Sequence, residues 1–580
     1  MSRAAGGAGP QPDAALPGLS GPWTASSASH SYTPPAGSGA PWTVPGRRAA
    51  IVGSADAGLL HAWIHPYRVV QDANLLIGGA ATAPVGLSVT PEQVVRTSLA
   101  NGAAVTERWT VALEHPVVVW QVDAPDGAPI SLGWTVDIDS AVAAPECVPA
   151  ADRRGAVLRW PGQLFQLIID VDGGLLQAET TRSVVRISVR ADGFCRVRLT
   201  GAADEPDLER SRQMLARRGF AGLLRQRADH AAELASYATS IETPEPTLVE
   251  SFEWAKIQLD GLLVGTPGVG RCLVSEYPAD RSAPRFVTEA ACRVAFAQLA
   301  AGDRTGPRDT LKFLSLSQDE GGRVVEECST GGDATFGAGA VPMYLLLAAR
   351  YAAWAGELDF LSRRWVAIRR AFEAGLAGRP WDRDPTAASR WHAALVELQP
   401  LAEALGHPEV AEHLAAAADE ARAAAGPATF LPEPAGLGEF RASRFDRGLD
   451  AWRAASADLQ LTRSVPAASS CARLAVEGLW GVAPGALDGG VRVSPWFPPE
   501  WDSMSIERIR VGRTVLSVRM RRRFGQVAAR VERVHGPRMH VEFALRGASA
   551  PATVQLDDVE LGGGRVAFEA DATHALVWHT

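Results

Sequence analysis

Between about residues 48 and 200 the chain is a succession of short apolar or alternating runs, at 48–52, 59–64, 69–77, 105–111, 116–122, 130–138, 164–170 and 183–189. Turn residues at 124–127 and 172–174 separate them, and no helical period intervenes. Many short strands bounded by Gly, Pro and Asp predict an antiparallel β-sandwich over 47–204. The pattern changes near Asp207. Residues 207–240 are charged and helical, interrupted only by glycines, which predicts a linker helix or helix pair within 205–243. Thr243-Pro244-Glu245-Pro246 then breaks the chain, because neither proline can donate a helical hydrogen bond.

From 247 to 481 the period is helical, and the helices are of two kinds. In 247–264 the residues Leu248, Phe252, Ala255, Leu259 and Leu262 fall on one stripe. In 358–376 Leu358, Leu361, Trp365, Ile368 and Phe372 do the same, and Arg363, Arg364, Arg369 and Arg370 are left to the polar side. These are amphipathic outer helices. By contrast, 339–355 is apolar almost all round, as is much of 284–300. Such helices must be covered on every face, and an inner ring enclosed by an outer ring does so. About nine helical segments are legible, whereas a closed ring of six hairpins needs twelve. The shortfall falls in 426–463, a stretch holding Pro427, Pro432, Pro434, Gly436 and Gly438. Strands return at 491–494, 506–511, 515–520, 527–534, 540–544, 552–556 and 575–578.

The prediction is a multidomain α+β chain. It comprises a flexible tail (1–46), an N-terminal antiparallel β-sandwich (47–204), a linker helix (205–243), an (α/α) helical-hairpin toroid, closed or incomplete (244–486), and a C-terminal β domain (487–580).

Composition narrows the chemistry. A chain of 580 residues exceeds one hydrophobic core, and 47% hydrophobic with 21% charged residues is ordinary for globular proteins. A net charge of −8 argues against a general nucleic-acid or anionic-membrane partner. Lysine occurs only at Lys256 and Lys312, a coding bias toward arginine. The six cysteines form no C-x-x-C pair, and the twelve histidines show no metal spacing, so neither a metal site nor a cofactor is expected. Nothing in the first 46 residues resembles a signal-peptide core, and no run approaches 18 apolar residues. A cytoplasmic protein with a tail disordered at least to Leu16 is the expectation, with oligomeric state left open.

The stretch SFEWAKIQLDGLLV (251–264) followed by GRCLVSEY (270–277) resembles the opening hairpin of glycogen-debranching-type six-hairpin glycosidases. RDTLKFL (308–314), SQDEGGRVVEE (317–327), VPMYLLLAARYAAWAGELDFL (341–361), VEGLWGVAPGA (476–486) and VSPWFPPEWD (493–502) continue in the same order. The resemblance spans roughly 245–515. It implies an (α/α) toroid acting on the glycosidic bonds of α-glucan-type or related oligosaccharides or polysaccharides. The sugar would sit in a funnel at the N-terminal ends of the inner helices. Hydrolysis there needs two carboxylates, one to protonate the leaving oxygen and one to activate water.

The departures are local. Where the family carries Gly-Arg-Asp, this chain reads Phe286-Val287-Thr288-Glu289. Where it carries Asp-Ala-Thr-Pro, this chain reads Gly339-Ala340-Val341 before Pro342, with Asp333-Ala334-Thr335 in register only if the loop holds an insertion. Three acidic sites precede or open helices that could line a funnel. Glu289 either contacts substrate or sits in a first helical turn for the macrodipole, worth about 0.3–1 kcal/mol. Of Glu326 and Glu327, Glu327 matches the family's acidic position; a solvated loop is the other reading. Asp382 follows Trp381, an aromatic beside a carboxylate as sugar subsites use, while Asp384 could cap the next helix. The resulting expectation is Glu327 and Asp382 as the acid/base pair, with Glu289, Tyr277, Arg285 and Trp381 binding substrate. The altered positions leave a catalytically inactive saccharide-binding protein as the alternative. Phosphorolysis on the same scaffold is a third reading, for which the sequence shows no clear basic pocket.

Overall fold

The computed structural model describes residues 33, 39–138, 145–181, 184–278, 284–337, 339–382, 384–425, 434–523, 525–547 and 553–579. The tail expected up to Leu16 lies outside the described residues, as do 426–433 and Arg383. Fourteen antiparallel strands form one sheet whose central path runs Pro41–Pro45, Ala49–Ser54, Gly58–Ile64, Tyr67–Ile77, Pro129–Val136, Val184–Ala202, Val117–Asp123, Ala103–Val111, Val94–Ala100 and Ala83–Val89. Alternation sets which side faces inward: in Pro129–Val136, Ile130, Leu132, Trp134 and Val136 are buried. The sheet folds over so that Trp42 meets Trp109 with ring centroids 4.9 Å apart. Pro41–Pro45, assigned to the tail, is a strand of this sheet, because Trp42 and Val44 alternate into the core. The surrounding Gly, Ala, Pro and Ser hid them.

Helix α1 (Glu205–Tyr237) follows, capped by Asp204, whose side chain accepts from the Asp207 amide. Gly219, at φ 61° and ψ −174°, breaks the helical path, so the linker is a helix pair. Leu223 docks α1 on Val117 and Val119 of the sheet.

The helical region holds, among the described residues, eleven α-helices: α2 (Pro246–Asp260), α3 (Thr288–Ala300), α4 (Thr305–Leu316), α5 (Ala340–Ala355), α6 (Leu358–Ser362), α7 (Trp365–Ala377), α8 (Pro385–Ala404), α9 (Pro408–Ala425), α10 (Ala435–Arg441), α11 (Phe445–Thr462) and α12 (Val465–Arg473). The two kinds predicted are both present. In α5 all residues but Arg350 and Ala353 are buried, whereas α2 buries a stripe containing Leu248, Phe252, Ala255 and Leu259. Helix α12 packs on α3, α3 on α5 and α5 on α8, while α4 packs on α3 and α5, α7 on α5, α9 on α8 and α11 on α12. The expected count of nine is too low. Helices α10 and α11 lie in the stretch that read as a gap, where Gly436 and Gly448 serve close packing rather than turns. A Cβ at Gly436 would stand 2.5 Å from that of Ala451, and one at Gly448 2.7 Å from the Phe440 ring.

The last strands form a four-stranded and a seven-stranded sheet that meet at Phe543 and Trp578, centroids 5.5 Å apart. The edge strand of the larger sheet is Ser240–Glu242, which comes from the linker and pairs with Ser503–Val511. No helix among the described residues is long and apolar enough to cross a membrane. All six cysteines are free thiols, five of them buried.

Candidate functional site

Several of the sequence candidates lie in the segments that lead into α3, α5 and α8. Strand Arg285–Val287 runs directly into α3 and pairs with Val325–Ser329, which pairs with Ala334–Phe336 ahead of α5. Thr288, first in α3, ties the two together by donating to the Val325 carbonyl at 2.5 Å. The register puts Val287 opposite Glu327, and Arg285 reaches the Glu327 carboxylate at 2.5 Å. Asp333-Ala334-Thr335 is the turn and outer strand of this hairpin.

Glu289 sits in the first turn of α3 and accepts from Arg293 at 2.8 Å and from Arg390 of α8 at 3.1 Å, bridging the two helices. Beside Arg293, a cavity of about 310 Å³ opens between the ends of α3 and α12, with Glu276, Ser469, Ser470 and Arg473 in its wall. Deeper in, Arg473 forms a bidentate pair with Glu477 at 2.9 and 2.6 Å, and Arg350 another with Glu397 at 2.9 Å twice. Both guanidiniums lie over the Phe296 ring, at 5.7 and 4.4 Å from its centroid. Burial pushes the Glu477 carboxyl up, but Arg473 outweighs it and holds the group below the usual range.

The sequence candidates separate into three groups. Arg285 and Glu327 are in direct contact. Asp382, in the turn Pro380–Asp382, pairs with Arg379 at 3.0 Å, and Arg379 also reaches Glu420 of α9. Asp384 caps α8 by accepting from the Thr386 amide at 2.9 Å. Trp381 is 3% exposed and packs edge-on against Trp391, so its ring presents no platform to solvent. The aromatic that precedes Asp382 is held inside by the apolar face of α8.

Tyr277 lies elsewhere, in a larger cavity of about 470 Å³ where strand 41–45, α1, the C-terminal end of α2 and the α11–α12 junction meet. Asp260, the last residue of α2, there accepts from Arg47 Nη2 at 2.6 Å and from His230 Nε2 at 2.8 Å. Burial raises the Asp260 carboxyl, but Arg47 and His230 more than offset it and hold it low. Arg227 donates to the carbonyls of Pro45 and Pro91, and burial brings its pKa down to about 10. Desolvation raises the Tyr277 phenol. The two cavities share Glu276 and Val465 in their linings. Asp260 and Glu276 stand in the stretches 251–264 and 270–277, where an acid closing an amphipathic helix was a readable signal. Arg47, Arg227 and His230 come from distant segments and gave none.

No protein-family model matches the chain, and no curated protein matches its sequence. Solved structures match its fold. A putative kojibiose phosphorylase from the human microbiome superposes with a TM-score of 0.63 at 7% identity, covering 91% of this chain and 96% of that one. A bacterial glucoamylase complexed with acarbose gives 0.48 at 10% identity, over 67% and 66% of the two chains. The fold of this chain is therefore similar to that of the first of these. At such identity the likeness is one of architecture.

Proposed function

We propose that this chain is a carbohydrate-active protein of the six-hairpin glycosidase kind. It would hold an oligosaccharide at the N-terminal ends of α3, α5, α8 and α12 and cleave a glycosidic bond there. The observation that carries this reading is the cavity between α3 and α12, with Arg293 in its wall and Glu289, which Arg293 and Arg390 both reach, one residue before the lining Ala290. The packing of α12 on α3, α3 on α5 and α5 on α8 supports continuation of the helices as an (α/α) toroid. In this reading Glu327 and Asp382 serve as acid and base, Glu289 and Arg285 orient hydroxyls, and Tyr277 lines the approach. Trp381 stiffens the turn that carries Asp382. A debranching-type α-glucan is the substrate we favour.

The test is product analysis of the full chain with α-linked gluco-oligosaccharides, alongside Glu327→Gln and Asp382→Asn. General acid–base groups typically contribute about 10²–10⁴-fold, and losses of that size are expected. Full activity in both variants sinks the assignment, and binding without turnover replaces hydrolysis by a non-catalytic saccharide-binding role. Phosphorolysis has one observation in its favour: Arg293 and Arg390 converge on Glu289 near the start of α3. Turnover that requires added orthophosphate would select it.

A further inference from the structure

The larger cavity lies at the junction of sheet, linker and helices, apart from Glu327 and Asp382. We infer that it binds a sugar unit, and that it does so as a remote subsite for an oligosaccharide whose other end lies at the α3–α12 cavity. The inference rests on the saccharide reading above.

Size comes first. A volume of about 470 Å³ falls within the range of roughly 300–1,000 Å³ that small-molecule sites occupy. The walls are chiefly apolar, formed by the half-buried Trp254 with Val89, Pro91, Leu234 and Ile257 beside it. Aromatic surfaces of this kind accept the C–H faces of a pyranose ring.

The polar side is fixed before any ligand arrives. Asp260 is held by Arg47 and His230, and Arg227 by two main-chain carbonyls. Those carbonyls take up three of the five guanidinium N–H groups of Arg227, leaving two for a ligand hydroxyl. Gln258 is held through its amide nitrogen by the Arg463 carbonyl, and its buried Oε1 has no hydrogen-bond partner among the described residues. The site therefore offers both donors and an acceptor.

Charge decides the ligand class. Three guanidiniums line the cavity, Arg47, Arg227 and Arg463, the last stacked on Trp254 at 4.5 Å. Two carboxylates share the lining, Asp260 and Glu276, and Asp260 is already paired with Arg47 and His230. Charges of both signs in one lining select neither a strong anion nor a cation. A neutral polyol with apolar faces fits both the walls and the fixed polar groups. Continuity supplies the link to the helix ends, because Glu276 and Val465 border both cavities.

The experiment is calorimetric titration of the full chain with glucose and with maltooligosaccharides of increasing length. Two variants accompany it, each checked for an unchanged thermal midpoint: Trp254→Ala, which removes a wall, and Ala231→Phe, which fills the cavity from α1. In the unmodified protein, affinity rises tenfold or more once the ligand is long enough to span both cavities. In either variant that gain disappears, while the shortest ligand that binds keeps its affinity. A length dependence preserved in both folded variants overturns the remote subsite and leaves the proposed function standing. Affinity that never rises with length overturns it too. Absence of binding by every saccharide overturns both.

Discussion

His65 is 3% exposed, and among the described residues neither ring nitrogen has a hydrogen-bond partner. Burial, helped by the Arg48 charge, brings its pKa down to about 3. In an unfolded chain the same group titrates near 6.5. Between those values the unfolded state takes up the proton and the folded state does not. Stability present at neutral pH is therefore lost as pH falls below about 6.5, by about 1.4 kcal/mol per pH unit. Urea unfolding at pH 7 and pH 5 should show the loss, and His65→Leu should flatten it. An equal slope in the variant would assign the effect to another group. Asp260, whose carboxyl is held low, acts only on further acidification: its contribution is present above about pH 4 and fades below it. At this scale the sequence showed which residue types were present but not their partners. Arg285 and Glu327 were both legible as candidates, yet their contact depends on a strand register 42 positions apart in the chain. Trp381 looked like a sugar platform because local sequence does not show that Trp391 covers it.

Phe440 shows what decides the elements. Its ring lies between Gly448 of α11 and Gly478, and a Cβ at either glycine would stand 2.7 Å from it. Gly448→Ala must displace that ring within a close-packed core, at a cost of about 1–3 kcal/mol. Thermal unfolding should register this as a lowered midpoint; an unchanged midpoint would mean that the ring has room to move. Glycines likewise explain why α5 was readable and α10 was not. A helix that is apolar on all sides declares its period in its own residues, and 339–355 did so. Helix α10 is seven residues long and holds two glycines, so its pattern is set by what it packs against. The strands followed the same rule. Alternation exposed those with ordinary flanks, whereas Pro41–Pro45 was masked by its neighbours' composition.

Across the whole molecule, one side chain ties the end of the linker to the C-terminal sheet at three points. Arg508, itself at φ 60°, donates to the carbonyls of Ala235 and Ala238 and to the Ser240 hydroxyl at 3.1, 2.9 and 2.8 Å. Arg508→Ala leaves those acceptors without the guanidinium, and the loss should approach about 3 kcal/mol. Denaturant unfolding measures it; a change below about 0.5 kcal/mol would show that solvent takes over the role.

The edge strand Ser240–Glu242 pairs with residues that lie more than 260 positions later in the chain. During synthesis that segment leaves the ribosome long before Ser503–Val511 exists. Until then it is an open β-edge, able to capture any passing strand. Its folding thus waits on the end of translation, which is slow for so non-local a pairing. A nascent chain stalled before residue 503 should bind chaperones persistently, and release should follow completion of the last sheet.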